Sequence, residues 1–462
     1  MQKPRDLWSS RLGFVLAAAG SAIGLGNLWK FPYITWHNNG GAFVLVYLLC
    51  IAGVGLPIMI AEILVGRRTQ RSAVGALKES VGSAWGFVGG WGVVTGFVIL
   101  SFYTVVAGWT LLYFIKCLGW SFNGYPIDYS GGDAFGVMTG NGPLQILLAG
   151  LFMACTMTVI YRGVGQGIER ISRILMPTLM VILALLLVSA LTMEGAGEAL
   201  AFIFAPTFSE LPWNGVLEAL GHSFFTLSLG MGAMITYGSY LSRKNSVVRS
   251  SMMVVVLDTV IAIVATVIMF SVIFSKPGMA EQISRSTAGM LFITLPDLFY
   301  TVVPLGKVLG PLFYLLVGFA ALTSTISLLE VVVAYFIDER AMSRAKATTL
   351  CGLGTFFITL LCGLSLGAFG PLSSFEIFAG KRGLFDTMDH LAANWLLPIG
   401  GFLITLAVGW FMTRKTKEEE LMDGTQPGWF RYGVWSFFIR FVSPAAVALI
   451  ILAVIFLGAD FT

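Results

Sequence analysis

The chain has 462 residues, of which 57% are hydrophobic and 11% charged, with a formal net charge of +4. Soluble domains carry about 25% charged residues, so this composition excludes a soluble globular protein and indicates an all-α polytopic membrane protein. Basic loops between the apolar segments account for the positive excess, and no nucleic-acid partner is needed to explain it.

Eleven apolar segments are each long enough to cross about 30 Å of hydrocarbon as a helix. They fall at 11–36, 42–66, 86–118, 144–161, 168–192, 214–240, 247–275, 308–337, 345–367, 387–413 and 434–458. The first is too long for a signal-peptide core and lacks a small-residue cleavage site, so no cleavable signal is expected. Arg67, Arg68, Arg71 and Lys78 follow the second segment, and Arg162, Arg170 and Arg173 flank the fourth connection. Arg243, Lys244 and Arg249 follow the sixth, Arg340, Arg344 and Lys346 the eighth, and Lys415, Lys417 and Arg431 precede the last. The alternate loops 119–143 and 193–213 contain no Lys or Arg, although Lys381 and Arg382 depart from the pattern. The positive-inside rule then puts the N-terminus in the cytoplasm and, after eleven crossings, the C-terminus outside.

Segment one should be a continuous helix, yet it carries Gly20-Ser21-Ala22-Ile23-Gly24-Leu25-Gly26-Asn27-Leu28-Trp29-Lys30-Phe31-Pro32. Three glycines in seven positions and an Asn favour a break. Free N–H and C=O groups inside a bilayer are tolerated only where they line a protein cavity. Exposed carbonyls can hold a cation, and a half-helix N-terminus can hold an anion. Segment five places Gly167 ten residues before Pro177, which predicts a kink. Segment six repeats the theme of the first in Phe224-Phe225-Thr226-Leu227-Ser228-Leu229-Gly230-Met231-Gly232. If residues 1–192 and 214–413 are two five-helix repeats of one transport domain, with 434–458 an eleventh helix, the two breaks occupy equivalent places. Paired interruptions in two halves point to a binding site at the midplane. Small residues also serve close helix packing, but two clusters with hydroxyls in matching places favour a site.

Segment seven carries Asp258, an intramembrane carboxylate whose cost makes it a functional candidate, offset by a neighbouring cation. Segment eight offers Phe319-Ala320-Ala321-Leu322-Thr323-Ser324-Thr325-Ile326-Ser327. Its hydroxyls either bond back to their own helix or, with carbonyls, ligate a hard cation. Glu62 and Glu330 are assigned structural roles, such as capping free N–H groups. The five cysteines, Cys50, Cys117, Cys155, Cys351 and Cys362, have neither metal nor disulfide spacing. His37, His222 and His390 are too far apart in sequence to suggest enzyme chemistry. A channel would need polar residues along a whole pore, and only the midplane cluster is polar. A sodium-dependent substrate-gated channel or receptor remains the alternative of another class.

These residues resemble the bacterial amino-acid branch of the neurotransmitter:sodium symporter family, which has the LeuT-type fold. The resemblance is carried by Arg11 to Pro32, Gly40-Gly41-Ala42-Phe43, Arg162-Gly163 through Gly167-Ile168-Glu169-Arg170, Phe224 to Gly230, and Ala320 to Ser324. It implies a five-plus-five inverted repeat with one extra helix, in a bacterial inner membrane. It also implies uptake of amino acids or their derivatives coupled to inward sodium flow. One implied sodium site uses the carbonyls of Ala22 and Thr226 and the side chains of Asn27, Thr226 and Asp258, completed by the substrate carboxylate. The other uses carbonyls of Gly20, Ile23 and Ala320 with the hydroxyls of Thr323 and Ser324.

Many members carry Asn where this chain has Asp258. Chloride-dependent relatives hold chloride with Tyr, Gln, Ser and Asn groups. Tyr47 remains here, but His222 stands at the Gln and Ala262 at the Ser. The resemblance thus leads to transport without chloride, with Asp258 as the fixed negative charge. Implied substrate contacts are Leu25, Gly26 and Tyr103 for the carboxylate and Ser21, Phe225, Thr226 and Ser228 for the amino group. Gly24 stands where amine transporters carry Asp, which implies an α-amino acid. The side-chain subsite would comprise Ile99, Val106, Phe225, Met231, Ser324 and Leu328, and the adaptable Met231 suits a large hydrophobic or aromatic residue. Small neutral amino acids are the alternative. Phe225 resembles an aromatic lid over Tyr103. Lys30 with Asp389 resembles the outer gate, and Arg5 with Asp338, near Trp8, Ser239 and Tyr240, the inner one. In segment five the resemblance implies a cytoplasmic end that unwinds.

Overall fold

The computed structural model describes residues 6–126, 128–276, 287–422 and 426–461. Among the described residues, nine helices are long and apolar enough to cross a membrane unbroken. They are Gly41–Thr69, Ser83–Asn123, Gly142–Tyr161, Val164–Leu191, Val247–Phe274, Gly306–Arg340, Arg344–Leu364, Gly383–Phe411 and Tyr432–Leu457. A tenth span, Arg11–Ala22 with Gly26–His37, is bent by 51° at its middle. The sixth expected span is present as two pieces, Trp213–Thr226 and Ala233–Gly238, each too short to cross alone. Thus all eleven expected segments are helical, and the two foreseen interruptions fall in spans one and six.

Long spans three and eight, Ser83–Asn123 and Gly306–Arg340, make the most extensive helix–helix contact. The broken spans lie against them, so the interruptions are enclosed by continuous helices. With lipid on the outside there is little hydrophobic drive between helices, and close packing of small residues takes its place. Gly108 shows this: a Cβ there would stand 2.9 Å from the carbonyl carbon of Leu148.

Span five departs from the expected unwinding. Its N-terminal end is wound as a π-helical turn, Val164–Glu169, leading into Arg170–Leu191 with Pro177 in its interior. The loops contain elements that the apolar pattern did not reveal. Among them are the helices Ala73–Ser80, Gly131–Thr139, Ala196–Phe204 and Arg414–Leu421, and a small hairpin pairing Glu376–Phe378 with Lys381–Arg382. Arg414–Leu421 is held to span two by the buried pair Arg67–Glu420 at 2.7 Å.

Candidate substrate and ion site

Both interruptions end their helices with unpaired backbone groups that neighbouring side chains take up. The first half of span one stops at Ala22, and Ile23 leaves the helix at φ −75°, ψ 90°. Past it, the Gly24 N–H donates to Asn27 Oδ1 at 3.2 Å and the Leu25 N–H to the Tyr103 hydroxyl at 3.0 Å. The Ser21 carbonyl, freed by the same break, accepts from Ser228 Oγ at 2.9 Å and Ser324 Oγ at 3.3 Å. Span six opens over six residues, with Ser228, Gly230 and Gly232 at φ +54°, +78° and +75°.

Glu62 of span two accepts the Gly230 N–H at 2.8 Å, which is the capping role expected of it. At Gly230 the backbone of span six also packs directly on span ten: a Cβ would stand 2.6 Å from the Leu397 carbonyl oxygen. A left-handed L-residue costs roughly 1–2 kcal/mol before any clash. Gly230→Ala is therefore expected to lower the thermal unfolding midpoint of the detergent-solubilised protein by several degrees or to abolish its folding. An unchanged midpoint would contradict the packing described.

Asp258 is completely buried. Its Oδ1 accepts from Asn27 Nδ2 at 2.8 Å and from Thr226 Oγ1 at 3.0 Å, while Oδ2 lies 3.1 Å from the same hydroxyl. Spans one, six and seven thus meet at one carboxylate, and no cationic side chain is bonded to it among the described residues. Below the pocket, Gly20 brings span one against span eight, where a Cβ would touch Thr323 Cβ at 3.1 Å. The Thr323 hydroxyl bonds back to the Ala320 carbonyl at 2.9 Å and Ile23 is fully buried beside span eight's core. Around Asp258 the carboxylate, the Asn27 amide and the Thr226 hydroxyl bring together the oxygens that a hard cation requires.

Between the breaks lies a small cavity of about 30 Å³. Its walls include Ser21, Ala22, Gly24, Gly26, Ile99, Tyr103, Phe225, Thr226, Ser228, Met231, Ser324 and Leu328. Ser327, which the sequence reading did not single out, lines it too and accepts a 2.7 Å hydrogen bond from Ser21 Oγ. Its signal was available: Ser327 is one helical turn beyond Ser324, on the same face. Leu25 and Val106 line instead a second, larger cavity of about 350 Å³, shared with Tyr103, Phe225, Lys30 and Asp389. Tyr103 and Phe225 therefore form the wall between the two spaces.

At that end Lys30 Nζ sits 5.3 Å from the Phe225 ring centroid and donates to the Phe461 carbonyl. Lys30 and Asp389 face one cavity without an ion pair within 4 Å. Tyr47 Oη and both ring nitrogens of His222 are buried without hydrogen-bond partners among the described residues. Their rings lie 5.7 Å apart.

The opposite end is sealed. Trp8 donates from its backbone to the Tyr240 carbonyl and from Nε1 to the Tyr237 carbonyl, each at 2.9 Å. Tyr240 Oη donates to Glu330 at 2.6 Å, and Arg344 pairs with the same carboxylate at 2.9 Å. Ser239 bonds to the Thr236 carbonyl, and Asp338 accepts the Ser72 N–H at 2.6 Å. Arg5 lies outside the described residues.

The profile of the sodium:neurotransmitter symporter family matches residues 5–123 and 136–459. The chain is 38% identical to an uncharacterized sodium-dependent transporter, YhdH, of Bacillus subtilis (strain 168), over 98% of each sequence. It is 31% identical to the uncharacterized sodium-dependent transporter MJ1319 of Methanocaldococcus jannaschii, covering 99% of this chain and 91% of that one. Among solved structures, the crystal structure of MhsT in complex with L-phenylalanine superposes with a TM-score of 0.87 at 40% identity. That match covers 97% of this chain and 100% of the other.

Proposed function

The chain belongs to the sodium:neurotransmitter symporter family, and from that membership we propose that it imports hydrophobic or aromatic L-amino acids with two sodium ions, independently of chloride. One observation carries this reading: two helix breaks face each other across a small pocket whose walls supply N–H and hydroxyl donors at one end and carbonyls at the other. The N–H groups of Leu25 and Gly26 and the Tyr103 hydroxyl, at the wall between the two cavities, would take the amino acid's carboxylate. Carbonyls near Ser21, Phe225, Thr226 and Ser228 would take its ammonium. Ile99, Met231 and Leu328 would receive an apolar side chain, and the L-phenylalanine held by MhsT supports that class.

The first ion would bind among Ala22, Asn27, Thr226 and Asp258 with the substrate carboxylate as a further ligand. The second would join Gly20 and Ile23 of span one to Ala320, Thr323 and Ser324 of span eight. With the N-terminus cytoplasmic, Trp8, Tyr240 and Asp338 seal the inside, and the cavity at Lys30 and Asp389 opens outside. Closure over Phe225, followed by release of the Trp8 contacts, gives alternating access. Each 100 mV of membrane potential supplies about 2.3 kcal/mol per charge moved inward.

Purified protein in proteoliposomes should accumulate labelled phenylalanine or leucine only with an inward sodium gradient. Sodium-independent uptake, or none, would refute the symporter reading. Tryptophan, tyrosine and leucine should compete better than alanine; the reverse order selects the small-substrate alternative. Replacing sodium chloride by sodium gluconate should leave the rate unchanged, and a large loss would reject the role given to Asp258 as fixed anion.

A further inference from the structure

The segment after span eleven does something the symporter reading does not use. Span eleven ends at Leu457, and the chain then turns back across the end of the bundle that carries Lys30. Asp460 is bound on three sides: by Lys381 Nζ at 2.6 Å, by Asn394 Nδ2 at 3.0 Å and by His390 Nδ1 at 3.4 Å. Asn394 also accepts the Phe461 N–H at 2.8 Å. One amide thus reads both the side chain and the backbone of the tail, which fixes its register. Phe461 is 8% exposed and its ring packs on span six, where a Cβ at Gly221 would stand 3.2 Å from it. Its carbonyl takes the ammonium of Lys30.

The consequence is geometric. Phe461 stands among Lys30 of span one, Gly221 and Phe224 of span six and Ala393 and Leu397 of span ten, in a cavity of about 160 Å³ that shares Lys30 with the one holding Asp389, and its carbonyl takes the cation that Asp389 would need. A buried aromatic ring on a segment tied down by these polar contacts is a wedge. We propose that Ala459–Phe461 is an outer wedge that competes with Asp389 for Lys30, and so sets how readily the outer cavity closes over substrate. Asp460 is the positioning residue, because its three partners aim the Phe461 carbonyl at Lys30. This rests on reading the Lys30 cavity as the transporter's outer vestibule.

The same physics gives the direction of the effect. A state that must expel the wedge before closing is penalised, and the apparent affinity of any ligand that requires closure falls with the fraction of competent protein. Removing the wedge should therefore favour closure. A chain ending at Gly458, and separately the full-length Asp460→Asn variant, should each show a KM for the transported amino acid lowered by about threefold or more. The Lys381→Gln variant should behave like Asp460→Asn, and the double variant should add little.

A second readout needs no substrate. Ala288 lines the larger cavity. In an Ala288→Cys background, labelling by a membrane-impermeant maleimide in sodium alone should slow by about threefold or more when the wedge is removed. Labelling of the parent chain, with its native cysteines, supplies the background. An unchanged KM together with an unchanged labelling rate in both the truncated and the Asp460→Asn proteins overturns the wedge. Faster labelling also overturns it, since it would show that the tail holds the cavity shut. Uptake that proves independent of sodium overturns the symporter reading instead, while the labelling result still decides whether the tail controls the cavity.

Discussion

Replacing Gly24 by Asp should reduce amino-acid uptake by at least two orders of magnitude. A Cβ at position 24 would stand 2.6 Å from Ser324 Oγ and 2.9 Å from the Tyr103 hydroxyl, so even the first added atom must displace a pocket wall. The carboxylate would then occupy the space assigned to the substrate carboxylate. Two like charges about 4 Å apart repel by about 4 kcal/mol at an effective dielectric of 20, close to a thousandfold in affinity. Gly24→Ala separates the two causes, because it adds the Cβ without the charge and should retain measurable uptake. Both variants need a matched size-exclusion profile to show that they fold. Wild-type uptake of phenylalanine by Gly24→Asp would remove position 24 from the site and with it the proposed substrate pose.

The second large effect is expected at Asp258. The carboxylate is fully buried, accepts from Asn27 and Thr226, and has no cationic side chain bonded to it among the described residues. A lone buried charge is costly, and a sodium ion beside it relieves that cost. Asp258→Asn keeps the shape and removes the charge, so sodium should be held at least tenfold more weakly, about 1.4 kcal/mol. Alternatively the protein should recover its affinity only when chloride supplies the missing charge. Sodium-dependence curves of uptake, measured in chloride and in gluconate, distinguish these outcomes. A variant with wild-type sodium affinity in both anions would show that Asp258 is structural. Tyr47 Oη and the His222 ring nitrogens, buried without a hydrogen-bond partner among the described residues, are where an added anion would be sought.

Much of this was readable along the chain because a bilayer leaves few choices. Every backbone group must be paired internally, so long apolar runs must be helices. A glycine-rich interruption in such a run therefore carries information that it would not carry in water. The eleven segments, both breaks and the odd carboxylate in span seven followed from that constraint. The break in span one was located only to the Gly20–Gly26 stretch; the structure puts the departure from helix at Ile23 and Gly24. Glycines permit a break, but the neighbours that receive the freed groups choose its residue, here Asn27 and Tyr103.

Contacts between distant elements were harder to read. Ser327 lies one helical turn beyond Ser324 on the same face, and its bond to Ser21 puts it in the pocket wall. The resemblance implies Leu25 and Val106 as pocket residues, yet they line the neighbouring cavity, because Tyr103 and Phe225 stand between. The partner of Lys30 was sought in span ten, whereas the carbonyl of Phe461 takes it, 431 residues away in the chain. Loop helices such as Arg414–Leu421 have no apolar period to announce them; this one is held by Arg67 from span two.

By itself the sequence determined that this chain crosses a membrane repeatedly as helices, that spans one and six are interrupted, and that a carboxylate lies within span seven. Those conclusions rest on the local cost of unpaired groups and charges in hydrocarbon, which each segment meets alone. The tertiary structure decided which freed N–H meets which oxygen, that Asp258 reaches both breaks, and that the Phe461 carbonyl takes Lys30. Those outcomes depend on packing between segments far apart in the chain, where a shift of an ångström exchanges one partner for another.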